Sequence, residues 1–188
     1  GFIVKLWPLI IFTLALGIRF IFLSQFQDNP FFQTDLKGMD PSLYHEWAKD
    51  LAEGYWPGYK LLYGHPFYPY VVSFLYRFWA VDSYSAVALQ FVMGALSCVL
   101  LYLIAKKIFS QPAAMISSFI AALYGPFLFY EGLLVPNALA IFLNLGALLM
   151  LLDILDFLPH QRDPVIGTNP RRTFLGGLLL GCSLITNS

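Results

Sequence analysis

The sequence predicts an all-α polytopic membrane protein, with about five transmembrane helices and interfacial helices in a long first outer loop. Its composition points there first. Of 188 residues, 59% are hydrophobic and 12% charged, and the mean hydropathy is +0.68; soluble domains carry about twice that charged share. Aromatic residues reach 18%, with 18 Phe and 11 Tyr, a content suited to lipid contact and to belts at the membrane interface. The second observation is a series of apolar runs near bilayer length. The third is one polar stretch, residues 40–54, set between them.

The first span covers about residues 6–23, with Arg19 near one end, where its head group can snorkel to the interface. Lys5 ahead of this run suggests a signal peptide. The run is long for one, however, and no small-residue cleavage site follows, so a retained span is expected. The first outer loop extends over about residues 24–84. Its opening part holds Asp28, Pro30, Asp35 and Gly38 and reads as irregular. Residues 40–53 then read as an amphipathic helix. Asp40 can cap it, Pro41 suits a first helical position and Gly54 marks its stop. Leu43, Trp47 and Leu51 recur at four-residue spacing, with Tyr44, Ala48 and Ala52 beside them, while Ser42, Glu46, Lys49, Asp50 and Glu53 take the other side. Such a helix is too short and too charged to cross a bilayer and is expected to lie on one. Residues 66–80, with Arg77 inside, fall short of the ~20 needed to cross and read as a re-entrant or interfacial helix.

Further spans are expected at about 85–104, 113–130, 137–155 and 173–186. Lys106 and Lys107 end the first of these, Glu131 the second, and Asp153 and Asp156 the third. Lys5, Lys106, Lys107, Arg162, Arg171 and Arg172 then share one side, taken as cytoplasmic. The loop bearing Asp40, with Lys37, Lys49, Lys60 and Arg77, lies opposite, together with Glu131. Cys98 and Cys182 fall inside spans and read as small packing residues rather than a disulfide. His45, His65 and His160 lie too far apart for a metal-ligand spacing. The net charge of +0 gives no basis for a nucleic-acid partner.

Two acids stand out by position. Asp40 opens the interfacial helix, and Glu131 sits between apolar runs, where a carboxyl group has few water contacts and is costly unless it is useful. Each also has a plain reading: Asp40 as a helix cap, Glu131 as an acid in a short outer turn. His65, before Pro66, lies on the same face as both; a loop histidine is often simple polar surface. Arg77 and Lys60 read as lipid-snorkelling cations, and Trp47, Trp56 and Trp79 as part of an interfacial belt. Gly176, Gly177 and Gly181 read as close helix packing.

Several stretches follow one another in a familiar order. These are Asp40-x-x-x-Tyr44-His45-x-Trp47-Ala48, Gly64-His65-Pro66-Phe67-Tyr68-Pro69-Tyr70, Phe129-Tyr130-Glu131-Gly132-Leu133-Leu134, and Gly176-Gly177-Leu178-Leu179-Leu180-Gly181 with Ile185-Thr186. Together they resemble the N-terminal half of GT-C membrane glycosyltransferases. The family resembled is that of the dolichyl-phosphate-mannose–protein mannosyltransferases, which includes the lipid A aminoarabinose transferases. Residues 1–188 are thus expected to be the N-terminal part of a GT-C-like transmembrane domain in a longer protein.

The resemblance implies an integral, multi-pass enzyme of a bacterial inner membrane, active on the periplasmic or extracellular face. Its implied partners, besides the bilayer, are a polyprenyl-phosphate sugar donor and a protein, lipid or glycan acceptor. It implies catalytic roles for Asp40 and Glu131 and substrate contacts for Tyr44, His45 and His65, with His65 toward the carrier phosphate. Many family members carry a second acid directly after the first; Pro41 stands there, which leaves Asp40 as the base. A carboxylate near the interface can take the proton from an attacking hydroxyl, and a phosphate leaving group needs cations or dipoles more than a strong acid. Glu131 would then orient the acceptor or share a divalent metal; no cofactor follows from the residues, and a divalent metal stays open because two acids alone do not specify one. Competing readings are a lipid or sugar transporter or flippase, whose polar groups would sit at mid-membrane, and a non-catalytic membrane subunit.

Overall fold

A computed structural model describes residues 2–26, 40–55, 65–79, 81–157 and 170–187. The expectations for Asp28, Asp35, Lys37, Trp56, Lys60, His160 and Arg162 lie outside these residues, as do the side chains of Lys5, Arg171 and Arg172. The described residues form eight helices and no strand: α1 (Phe2–Phe26), α2 (Asp40–Glu53), α3 (Phe67–Phe78), α4 (Ser83–Ile108), α5 (Gln111–Leu123), α6 (Gly125–Gly132), α7 (Asn137–Phe157) and α8 (Pro170–Asn187). The all-α membrane architecture expected from the composition is the one observed.

Helix α4 is the axis of the bundle, packed against α1, α5 and α7, while α7 in turn carries α8. Its start is fixed by Asp82, whose side chain accepts from the Tyr84 amide at 3.1 Å, a helix N-cap. Leu6–Gln25 and Ser83–Ile108 are long and apolar enough to cross a membrane. The span expected at 113–130 is broken into α5 and α6, bent by 49°. Pro126 explains the break. It has no N–H to give the Ala122 carbonyl, so α5 ends at Leu123 and Tyr124 turns to an extended conformation. Asn137–Asp153 and Phe174–Thr186 are apolar but shorter, so among the described residues two helices, or three counting the bent pair, are long and apolar enough to cross, against the five expected. Lys107 Nζ lies 2.8 Å from Asp153 Oδ1, which puts the ends of α4 and α7 on one side, as the lysine distribution requires.

The core falls into two apolar clusters. One joins α1, α4 and α5 through Ile11, Ala15, Ala95, Tyr102, Ala114 and Ala121. The small residues let these helices approach closely, as membrane helices do without a hydrophobic drive between them. The other joins α2 and α3 to α4 and α7 through Tyr44, Trp47, Tyr68, Val72, Phe91 and Leu139. This corrects the expectation for α2. Tyr44, Trp47 and Ala48 pack on α3 and the bundle, with Trp47 0% exposed, instead of lying against lipid; Ser42, expected on the polar side, is buried with them, and Leu43, expected on the apolar side, is exposed. Two facing apolar stripes bury more area together than either would at an interface. Within this pair the outward apolar surface is mainly at the end of α3, where Phe74, Phe78 and the following Trp79 are largely exposed.

Candidate functional site

The residues singled out in the first outer loop converge on the α2–α3 pair. Asp40 opens α2 and is exposed. Tyr44 lies one turn later and is buried, its ring edge-on to Tyr68 with centroids 5.3 Å apart. The Tyr44 hydroxyl accepts from the His65 backbone N–H at 3.4 Å, which ties the lead-in of α3 to α2. Burial pushes the Tyr44 phenol above its ordinary range; the His65 amide partly offsets this, and the negative charge of Asp40 adds to it. His45 Nδ1 is 2.8 Å from the Tyr76 hydroxyl, so its ring is held by α3. Asp40, Tyr44 and His65 thus form one group on the α2–α3 pair, with His45 alongside. Gly54, at φ 91°, takes the left-handed conformation that ends α2.

Glu131 is not part of that group. It lies inside the bundle, 4% exposed, and its carboxylate is gripped by Arg19, which is 0% exposed. Arg19 Nε donates to Oε2 at 2.6 Å and Nη2 to Oε1 at 2.9 Å, the paired geometry that suits a guanidinium and a carboxylate. Arg19 Nη1 also donates to the Ala15 carbonyl at 3.0 Å, and Nη2 reaches Cys98 Sγ at 3.9 Å. The expectation that Arg19 snorkels is therefore overturned. A guanidinium in an apolar bundle is held by the partner that neutralises it, and α6 delivers that partner. The bend at Tyr124 is what swings α6 across the bundle.

Gly94 makes the arrangement possible. A Cβ built on it would overlap the Glu131 carboxylate, so no other residue fits there without moving the acid. Gly94 lies about 16 Å along α4 from its start at the α-helical rise of about 1.5 Å per residue. Glu131 is accordingly well within the bundle and not at the outer edge of a turn.

Gln90 links the two centres. Its Nε2 donates to the Glu131 carbonyl at 2.7 Å and to the Leu133 carbonyl at 2.6 Å, supplying partners for the open C-terminal end of α6. Its Oε1 accepts from the Tyr68 hydroxyl, and Tyr68 is the ring that meets Tyr44. A continuous polar and aromatic path therefore runs from Arg19 through Glu131, Gln90, Tyr68 and Tyr44 to His65. Arg19, Gln90 and Gly94 were not among the site residues expected from sequence. Gln90 carried a usable signal, as a lone amide in the middle of an apolar span; Gly94 carried none.

Among the described residues no group of three or more His, Cys, Asp or Glu side chains could hold a metal ion. His65 lines a cavity with Asn137, Asn144 and Thr186 of α7 and α8.

A family model for dolichyl-phosphate-mannose-protein mannosyltransferase matches residues 64–163, from the residue before His65 to the segment beyond α7. No curated protein and no solved structure matches the chain. The matched range holds Tyr68, Gln90, Gly94 and Glu131, and its members are membrane glycosyltransferases of GT-C type. With an all-helical bundle and more than half of its length matched, the chain belongs to the dolichyl-phosphate-mannose-protein mannosyltransferase family.

Proposed function

We propose that the chain carries the outer catalytic loop of an enzyme that moves a sugar from a polyprenyl-phosphate donor to a protein, lipid or glycan acceptor. The reaction takes place on the periplasmic or extracellular face, in a bacterial inner membrane. The observation that carries this reading is the Asp40, Tyr44 and His65 group itself: an exposed carboxylate one helical turn from a buried tyrosine that is hydrogen-bonded to the His65 backbone, on a helix pair clamped to the bundle.

In this reading the acceptor hydroxyl gives its proton to the Asp40 carboxylate as its oxygen attacks the anomeric carbon. The bond from that carbon to the phosphate oxygen breaks, and the electron pair leaves on the phosphate. Tyr44 and His65 flank the reacting groups, and His45, held by Tyr76, is oriented for a substrate hydroxyl. Glu131 acts through position. Both its oxygens are taken by Arg19, so it fixes α6 and, through Gln90 and Tyr68, the outer pair. A flippase would need this ion pair to line a path, whereas Gly94 and Cys98 close around it.

The test is donor choice. Membranes containing the full-length protein are incubated with a labelled polyprenyl-phosphate sugar or with the same sugar on a nucleotide. The proposal expects label on an acceptor from the lipid-linked donor only. Transfer from the nucleotide sugar in membranes depleted of polyprenyl phosphate would contradict it.

A further inference from the structure

Between His65 and the facing sides of α7 and α8 lies a cavity of about 310 Å³. That is at the low end of the roughly 300–1,000 Å³ typical of small-molecule sites, enough for a single ring and too little for a prenyl chain or a folded peptide. Its polar lining is His65, Asn137, Asn144 and Thr186, and its floor includes Ala140 and Ile141. No Lys, Arg, Asp or Glu lines it among the described residues.

The hydrogen-bonding capacity of this lining is specific. Ser183 Oγ donates to Asn144 Oδ1 at 2.5 Å, which sets the amide and leaves its NH2 as a donor edge. Thr186 Oγ1 donates to the Cys182 carbonyl at 2.7 Å, so toward a ligand it offers lone pairs. Asn137 can both donate and accept. His65 also lines the cavity, though its Nδ1, buried and without a hydrogen-bond partner, is shielded from the open space.

Each ligand class makes a different demand. A phosphate asks for cations or converging backbone N–H groups, and a hard metal ion for clustered carboxylate oxygens. A hydroxyl-bearing ring asks for neutral donors and acceptors in alternation over an apolar floor, and that is the lining present. We infer that this cavity is a subsite for one neutral, hydroxyl-rich sugar ring, with Asn144, Asn137, Thr186 and His65 meeting its hydroxyls and Ile141 its C–H face. The inference rests on the glycosyltransferase reading for what such a ring would be: the sugar of the donor or the terminal sugar of an acceptor glycan. It gives His65 a sugar hydroxyl to meet beside the reacting groups, since none of the described residues lining the cavity is a cation that would hold the carrier phosphate there.

The test is protection of a reporter thiol in the full-length protein in membranes. Ile141→Cys is introduced together with Cys98→Ala and Cys182→Ala, and its alkylation rate is measured with three kinds of probe. These are polyprenyl-phosphate sugars, the same polyprenyl phosphate without sugar, and methyl glycosides of a panel of hexoses and pentoses. Ala140→Cys repeats the measurement should Ile141→Cys insert poorly. At least fivefold slowing by a lipid-linked sugar assigns the ring to the donor; slowing by methyl glycosides alone assigns it to the acceptor. Asn144→Ala in the same background should raise the half-protecting concentration about 3- to 10-fold, the loss of one neutral hydrogen bond. Equal protection by the sugar-free phosphate, or none by any sugar-bearing probe, overturns the subsite. Sugar transfer is assayed on membranes carrying the unmutated protein. Transfer without thiol protection overturns the subsite alone, whereas protection by glycosides without transfer overturns the enzymatic reading alone.

Discussion

Glu131→Ala removes one half of the ion pair at the centre of the bundle and leaves the other half in place. The guanidinium of Arg19, 0% exposed, would keep only the Ala15 carbonyl at 3.0 Å and the weak contact with Cys98 Sγ at 3.9 Å. Breaking a buried pair in this way costs about 3–5 kcal/mol, because a charge remains without compensation. Total stabilities of about 5–15 kcal/mol make that a large fraction. For a chain of this size the loss corresponds to a fall in melting temperature of roughly 6–20 °C. The assay is thermal unfolding of the detergent-solubilised protein, followed by reaction of a thiol-reactive dye with Cys98 as it becomes exposed, or by aggregation. The double variant Arg19→Met with Glu131→Leu separates charge from packing. It removes both charges and should recover most of the lost stability, since apolar replacements of buried pairs are often neutral or better. Sugar transfer should return with stability in the double variant if Glu131 acts through position. An unchanged melting temperature in Glu131→Ala would refute the reasoning, and so would a double variant no better than the worse single one.

Other expectations follow from the same geometry. Gly94→Ala drives a methyl group against the Glu131 carboxylate and should cost about 1–3 kcal/mol by overpacking, read by the same unfolding assay. Gly17→Ala, with nothing within 4 Å of the added carbon, should change little. Tyr68→Phe keeps the ring against Tyr44 but leaves Gln90 Oε1 buried without its donor; unfolding should show a loss of about 1–3 kcal/mol. For sidedness, exposed Glu46 on α2 and exposed Ser110 after α4 are each replaced by cysteine and labelled from outside intact cells. Glu46→Cys should label and Ser110→Cys should not; the reverse pattern would invert the topology.

Much of the architecture was legible in the sequence, and the reason is periodicity. The four-residue recurrence of Leu43, Trp47 and Leu51 between Asp40 and Gly54 marks α2 to the residue, and the lysines after Ile104 mark the end of α4 within one turn. What periodicity does not say is what an apolar face meets. Trp47 was assigned to an interfacial belt, yet it packs inside the protein, because α2 and α3 present stripes that fit each other. The break in the span expected at 113–130 has a local cause in Pro126 that the span reading passes over, and its consequence, the swing of Glu131 inward, depends on a partner 112 residues away in sequence. Long-range pairs such as Arg19 with Glu131 leave no local pattern. An arginine near the end of an apolar run reads as a snorkelling residue until the acid that neutralises it is placed.

In the proposed reaction the Asp40 carboxylate of α2 takes the acceptor's proton. This step is tested most directly by the initial rate of sugar transfer from a labelled polyprenyl-phosphate donor, in membranes matched for protein amount, for the unmutated protein and for Asp40→Asn. Asp40 is exposed and the amide keeps its size and shape, so Asp40→Asn should insert and unfold like the parent. Loss of a general base typically lowers the rate by about 10²–10⁴-fold, and a fall of at least a hundredfold is the predicted result. Transfer within about threefold of the parent would contradict the claim and leave the fold, and the Arg19–Glu131 pair at its centre, untouched.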